Sequence, residues 1–231
     1  RQMCIRDSNK CDACIGKIKF LKHKQKNYHQ SIHNKPLSKV YIDTVTLSRT
    51  PRGMKYLLTI EDGFSRFLMA IPVPNKNAET LAGALLEKFV PVLGIPQQLH
   101  SDNGLEFRNR VWESMCEALN ILHTTTPVYN PSSNLVERTH RTLGEIFRAT
   151  EGDMAENWDL KVGSVVFVYN TSIHGSTGFT PYELFHGRAP TFPVDLVFPV
   201  PESGARSLHE YIGDRVELIQ RVHGRMREIQ Q

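Results

Sequence analysis

Three acidic residues in this 231-residue chain stand where hydrophobic patterning makes an acid costly or strategically placed. Asp43 interrupts the strand-like run Val40-Tyr41-Ile42-Asp43-Thr44-Val45, and an aspartate inside such a run is expensive unless something binds it. Asp102 closes an apolar-alternating segment at His100-Ser101-Asp102-Asn103-Gly104, where Asn-Gly breaks the strand. Glu137 lies at the start of a helical pattern, Asn134-Leu135-Val136-Glu137-Arg138. The order strand, helix, strand, loop, helix can bring a carboxylate at a strand end close to one in the first turn of a later helix. Three converging carboxylates are what divalent-metal phosphoryl transfer requires. Two Mg²⁺ or Mn²⁺ ions about 3.5–4 Å apart activate the entering oxygen and stabilise the leaving one. Such ions select hard carboxylate oxygens, and without them the acids would raise one another's pKa. Glu137 also has a plainer reading, since Asn134-x-x-Glu137 matches a capping box.

The strands and helices that carry these acids can be read from the patterning. Strands are expected over Val40 to Leu47, Lys55 to Glu61 and Phe67 to Val73, joined through Thr50-Pro51-Arg52-Gly53 and Asp62-Gly63. Glu61 and Asp62 read as residues that simply end a strand. Asn77 can cap a helix with Leu81, Leu85 and Phe89 inside, ended by Gly94 and Pro96. A short strand, Gln98 to Ser101, delivers Asp102. A second amphipathic helix follows Asn109 with Val111, Trp112, Met115, Cys116 and Leu119 on one stripe. Ile121 to Thr126 is the fifth strand, and a long helix runs from Asn134 to about Thr150. Strands first and then strands alternating with helices give an α/β fold: a mixed sheet covered on both sides. Periodicity leaves Val162 to Tyr169 open between helix and strand. Thr180-Pro181-Tyr182-Glu183 starts a short helix closed by Gly187, and Pro190 to Pro201 reads as irregular surface chain. A last helix opens at Ser207, and its stop at Gln231 reads as a truncation.

Composition sets the class. Hydrophobic residues at 40% allow a core, and charged residues at 23% argue against global disorder. The net charge of +4 is mild, but Lys17, Lys19, Lys22, Lys24, Lys26, Lys35 and Lys39 form a block without acids, which suits a polyanion or a solvated linker. No run of about 18 apolar residues and no charged-then-apolar leader is present, so neither a membrane span nor a signal peptide is expected. Four cysteines make no disulfide framework and suit a reducing compartment. Cys11-x-x-Cys14 is a weak metal or redox signal, and Arg1 to Ser8 reads as adaptor sequence.

Taken together, Tyr41-Ile42-Asp43, His100 to Phe107 and Tyr129 to Leu143 resemble the catalytic core of retroviral and gypsy-type LTR-retrotransposon integrases. Tyr169 to Leu184 resembles the segment after the core in retrotransposon versions. The resemblance covers roughly residues 11 to 200. It implies a ribonuclease-H-like fold, a five-stranded mixed sheet flanked by helices, with extra C-terminal helices. It further implies Asp43, Asp102 and Glu137 as catalytic metal ligands for two Mg²⁺ or Mn²⁺ ions. Tyr129, Asn130, Ser133, Asn134, Arg138 and Arg141 would meet DNA, together with Lys22, Lys24 and Lys26 of the basic block. Cys11 and Cys14 would be half of a zinc site, needing Zn²⁺ only if histidines precede them. The implied organisation is adaptor sequence over 1–8, a zinc-module remnant and basic linker over 9–37, the core over 38–200 and a C-terminal helix over 201–231.

The implied activity is DNA 3′-end processing and strand transfer by a homodimer or higher oligomer. It would act in the nucleus after a cytoplasmic particle or preintegration stage. One departure stands out: the Gly that usually follows the residue matching Asn134 is absent, so Asp102 and Glu137 are one residue closer than is usual. A one-residue loss can turn a helix start by about 100°. A catalytically decayed, DNA-binding derivative is therefore an alternative reading. So is a ribonuclease-H-type nuclease, for which Glu87 is the only tempting fourth acid.

Overall fold

The alternation in Val40–Thr46 (β1) sends Val40 and Ile42 to one face of a sheet and Tyr41, Asp43 and Val45 to the other. In the computed structural model β1 is the central strand of five, in the order β3-β2-β1-β4-β5. Here β2 is Tyr56–Asp62, β3 Leu68–Val73, β4 Gln98–Ser101 and β5 Leu122–Thr125. β1, β2 and β3 run as antiparallel neighbours, whereas β1–β4 and β4–β5 are parallel. The expected mixed sheet is present. The structure describes residues 35–126, 134–149, 154–175, 177–192 and 208–229; the chain divides into a unit over 1–31 and one over 32–231. The sheet and every described helix belong to the second unit.

Register places Asp43 opposite Thr59 on β2, and Ile42 beside Ser101 at the end of β4. β4 thus finishes beside the middle of β1, with β5 on its far side, and Asp102 leaves the sheet there. Every residue of β2 after Tyr56 is buried, because both faces of the sheet are covered. On one side Ile42, Leu58, Ile60 and Leu99 pack with Leu81, Leu85, Phe89 and Trp112. On the other, Leu57 packs with Trp158 and Val162, and Leu68 with Leu143, Val165 and Tyr169.

The first cover comes from α1 (Ala78–Ala84), a π-turn at Leu85–Phe89, α2 (Val90–Leu93) and α3 (Arg110–Ala118). Pro91 has no N–H to offer the preceding turn, which accounts for the local widening. Asn77 occupies the cap position of α1 but makes no side-chain cap bond. Asn75 instead accepts from the Asn77 N–H and the Thr80 hydroxyl. Asn109 caps α3, accepting from the Trp112 N–H. Cys116 is buried on the inner stripe of α3, and burial pushes its thiol up to about 11, so it is a packing residue.

The second cover is α4 (Asn134–Ala149) and α5 (Met154–Thr171). The apolar run Val162 to Tyr169 is helical: Val162, Val165 and Tyr169 are buried at three- and four-residue steps. Asn157 interrupts the start of α5 with φ −125°, and Arg52 from the β1–β2 turn braces that break. Its guanidinium donates to both carboxylate oxygens of Asp159 and to the Asn157 side-chain oxygen. Asn170 holds the edge strand from both sides, accepting from the Leu68 N–H and donating to its carbonyl.

α6 (Pro181–His186) starts with a complete Thr180/Glu183 capping box and ends at Gly187 with φ 65°. α7 (Leu208–Ile229) lies against it, with Val222 beside Phe64 and Leu184. A Cβ on Gly187 would overlap the Ile219 side chain. Gly187→Ala therefore combines a left-handed-backbone penalty with overpacking, expected at about 2 kcal/mol. Urea unfolding measures it, and an unchanged midpoint would refute this packing of α7.

Candidate metal centre

Asp43 is held at the middle of β1 by its own backbone pairing, so its carboxylate has little freedom. One oxygen accepts from the Thr44 N–H at 2.7 Å, and the other lies 3.9 Å from Nδ1 of His140 on α4. The Thr59 hydroxyl donates to the Asp43 carbonyl at 3.1 Å and also sits 3.1 Å from Nε2 of His140. Burial is the main influence on the Asp43 carboxyl and pushes it up. The Thr44 N–H opposes that, while the charges of Asp102 and Glu106 add to it, for a net rise to about 6.

Asp102 follows β4 directly and is exposed. Its turn is fixed by three bonds: the Gly104 N–H to its carboxylate, the Ser101 hydroxyl to its carbonyl, and the Asn103 amide to the Thr126 carbonyl. His100 anchors the same strand end from the other side, meeting the hydroxyls of Thr124 and Thr126 at 2.9 and 3.1 Å. A Cβ on Gly104 would lie within 3 Å of carboxylate oxygens of both Asp102 and Glu106, so those acids converge on this glycine. Lys76 in the β3–α1 connection pairs with Glu106 at 3.0 Å.

Asp102 leaves the end of β4 beside the middle of β1, close enough for its charge to act on Asp43. Glu137 stands in the first turn of α4, one residue deeper than the capping-box reading puts it, since the helix includes Asn134. Glu137 and Arg138 are described as helix residues, and their side chains, with that of Asn134, lie outside the described set. Arg141 is exposed on the same helix. Tyr129, Asn130 and Ser133 fall outside the described residues, as do Lys22, Lys24, Lys26, Cys11 and Cys14. Among the described residues no group of three His, Cys, Asp or Glu is placed to hold a metal ion. The donors that are described, two carboxylates of which one is pushed up by burial and then by its acidic neighbours, have the chemistry that a hard divalent cation takes.

Two expectations are corrected. Glu61 and Asp62 do more than end β2, for both are buried. Asp62 accepts from the Leu37 N–H and from the N–H and hydroxyl of Ser65, closing the β2–β3 turn. Glu61 accepts from the Thr139 hydroxyl of α4 at 2.6 Å and has Arg66 at 3.6 Å. Glu106, whose charge acts on Asp43, and its partner Lys76 also stand at the acidic centre, and the sequence reading assigned neither to the site. No local signal marks Glu61, which directly precedes a turn and has the pattern of a strand end.

A central strand carrying one carboxylate, a parallel neighbour delivering a second and a later helix crossing behind them define a ribonuclease-H-like fold with a carboxylate site. Residues 33–131 match the integrase core domain, so the resemblance seen in the motifs holds for the core of this chain. The retrovirus-related Pol polyprotein from transposon 412 of Drosophila melanogaster is 32% identical over 157 residues, 67% of this chain. The chain spans 13% of that polyprotein's length. Among solved structures, the catalytic core domain of BIV integrase is 28% identical, with a TM-score of 0.54 over 64% of this chain and 93% of that one. The HTLV-2 integrase catalytic core domain in complex with magnesium, a trimeric form, shares the fold at 18% identity and TM-score 0.54, over 66% of this chain and 98% of that one.

Proposed function

We propose that residues 38–200 are the catalytic core of an LTR-retrotransposon integrase, which trims DNA 3′ ends and joins them to target DNA in the nucleus. The observation that carries this reading is Asp43: a half-buried carboxylate pushed up to about 6, with further acids, Asp102 and Glu106, acting on it. An arrangement that is unfavourable for the protein alone suits a site built to take cations.

Asp43 and Asp102 would hold divalent metal, with Glu137 completing the set from α4. Bound there, Mg²⁺ or Mn²⁺ supplies a nucleophilic oxygen and neutralises charge on the leaving one. The chain's own residues supply position. β1 and the Asp102 turn fix two carboxylates before substrate arrives, and His140 keeps α4 against Asp43. Glu137 precedes His140 by three residues, which on a helix is the same face. Arg141, one turn further on, is exposed and available to a DNA phosphate, and the basic block before residue 40 would add contacts without sequence preference. A ribonuclease-H-type nuclease is less well supported, because its candidate fourth acid, Glu87, is exposed on the π-turn and is not among the acids acting on Asp43. DNA and a second copy of the chain are the proposed partners. No described helix is long and apolar enough to cross a membrane.

The test is Mn²⁺-dependent strand transfer of a pre-cut oligonucleotide into a plasmid, together with the reverse reaction on a branched substrate. The chain is compared with its Glu137→Gln variant. Joining that disappears in the variant supports the reading. A folded, metal-binding chain that is inactive on both substrates overturns it in favour of a decayed binding module.

A further inference from the structure

We infer that the buried cluster Glu61–Thr139–Tyr169, backed by Arg66, is a positioning device that fixes the rotation of α4 and so presents Glu137 to the metal centre. The inference rests on the catalytic reading above and adds residues to it. Glu61 is at the end of β2, Thr139 on α4 and Tyr169 on α5, and all three are buried. The Thr139 hydroxyl donates to Glu61 at 2.6 Å and lies 3.5 Å from the Tyr169 hydroxyl. Arg66, with φ 65° in the left-handed region, brings its guanidinium to 3.6 Å from the other Glu61 oxygen. A non-glycine residue held in that conformation marks a place where surrounding structure over-determines the backbone.

Apolar side chains could cover β2 at lower desolvation cost, as Leu68, Leu143 and Val165 do alongside. A directional bond adds what they cannot, a single permitted rotation of the helix. Thr139 is two residues beyond Glu137, and the adjacent His140 meets Thr59 and Asp43 on β1–β2. Two neighbouring residues of α4 thus meet β2 at two points, Glu61 and Thr59, and His140 also approaches β1, which together hold the helix in one rotation. Thr139 and His140 both stand downstream of the missing glycine. The helix rotation is therefore set by contacts that α4 makes with β1 and β2 beyond Glu137, independent of the residue lost after Asn134.

The test uses Thr139→Val, Thr139→Ser and the double variant Thr139→Val/Glu61→Leu in the full chain, reading urea midpoint, Mn²⁺ affinity and strand joining. Thr139→Val leaves a buried carboxylate without its donor and is expected to lower both stability and joining. Thr139→Ser restores both. The double variant removes both partners, so stability recovers; joining stays at least about 10-fold down and Mn²⁺ binding about 10-fold weaker, the range seen when residues supporting metal ligands are lost. Recovery of joining or Mn²⁺ affinity along with stability would overturn the inference and leave the cluster a packing element. If the unmodified chain joins no DNA, Mn²⁺ affinity still decides. Weakening in both Glu137→Gln and the double variant supports the device, and weakening in Glu137→Gln alone refutes it. An unmodified chain whose Mn²⁺ binding ignores Glu137 overturns the catalytic reading and this inference together.

Discussion

Asp43→Asn is expected to make the metal-free protein more stable at pH 7 while abolishing strand joining. Its carboxyl is pushed up from 3.8 to about 6, first by burial and then by the charges of Asp102 and Glu106. A folded value above the unfolded one means that stability is lost as pH rises from about 4 to about 6, and the penalty is complete at neutral pH. The displacement corresponds to roughly 3 kcal/mol at 1.36 kcal/mol per tenfold. Its side chain is 29% exposed, which reduces the figure to about 2 kcal/mol. Asparagine keeps an acceptor for the Thr44 N–H and removes the charge, so most of this is recovered. Catalysis goes the other way, because a lost metal ligand forfeits several kcal/mol of charge stabilisation, about three decades in rate. Thermal melting with and without Mn²⁺ separates the effects. Saturating Mn²⁺ raises the melting temperature of the parent chain and moves that of Asp43→Asn much less. A variant that melts lower without metal, or still joins DNA, would remove Asp43 from the site.

The same acid shows what a sequence conveys. Asp43 stood out because it interrupts a hydrophobic strand-like run, and Asp102 because Asn-Gly ends a strand. The first three strands and their connections came from turn residues that act locally, such as Thr50 to Gly53 and Asp62-Gly63. Glu61 was not legible. It precedes that same turn, so its local pattern is one of strand termination, and its burial comes from α4 and α5 crossing β2 from 78 and more residues away. Lys76 and Glu106 pair across 30 residues that include α1, the π-turn, α2 and β4, a separation that no local rule spans. The Val162 to Tyr169 run was ambiguous for a related reason. Its mean apolarity is set by burial on one face and by exposed Phe167 and Val168 on the other, which masks the helical period. Residues whose role is fixed by neighbours in sequence could be read; those whose role is fixed by packing at a distance could not.

Glu61 supplies the second large effect, and its sign is opposite to the usual behaviour of paired carboxylates. The side chain is buried beneath α4, and burial raises its carboxyl from 4.5 to about 7 against the opposing influence of Thr139 and Arg66. The folded value again exceeds the unfolded one. Stability from this group is therefore fully present below about pH 4.5 and is lost as pH rises through 7, by roughly 3 kcal/mol. His123 and His186 work against this trend: burial lowers both below 6.5, so each favours folding as pH rises toward that value. The raw stability curve is consequently a difference of opposing slopes, and the variant comparison isolates the carboxylate. Glu61→Gln keeps an oxygen for the Thr139 hydroxyl but cannot titrate. Urea unfolding in EDTA at pH 5, 6, 7 and 8 is expected to give a stability difference between variant and parent that shifts in the variant's favour by about 2.5 kcal/mol from pH 5 to pH 8, the remainder having been lost below pH 5. A pH-independent difference would mean that Glu61 is already ionised at pH 5, held by Arg66 as a buried ion pair. The device that orients α4 would then be an ionic contact rather than a protonated carboxyl sharing a hydroxyl with Thr139.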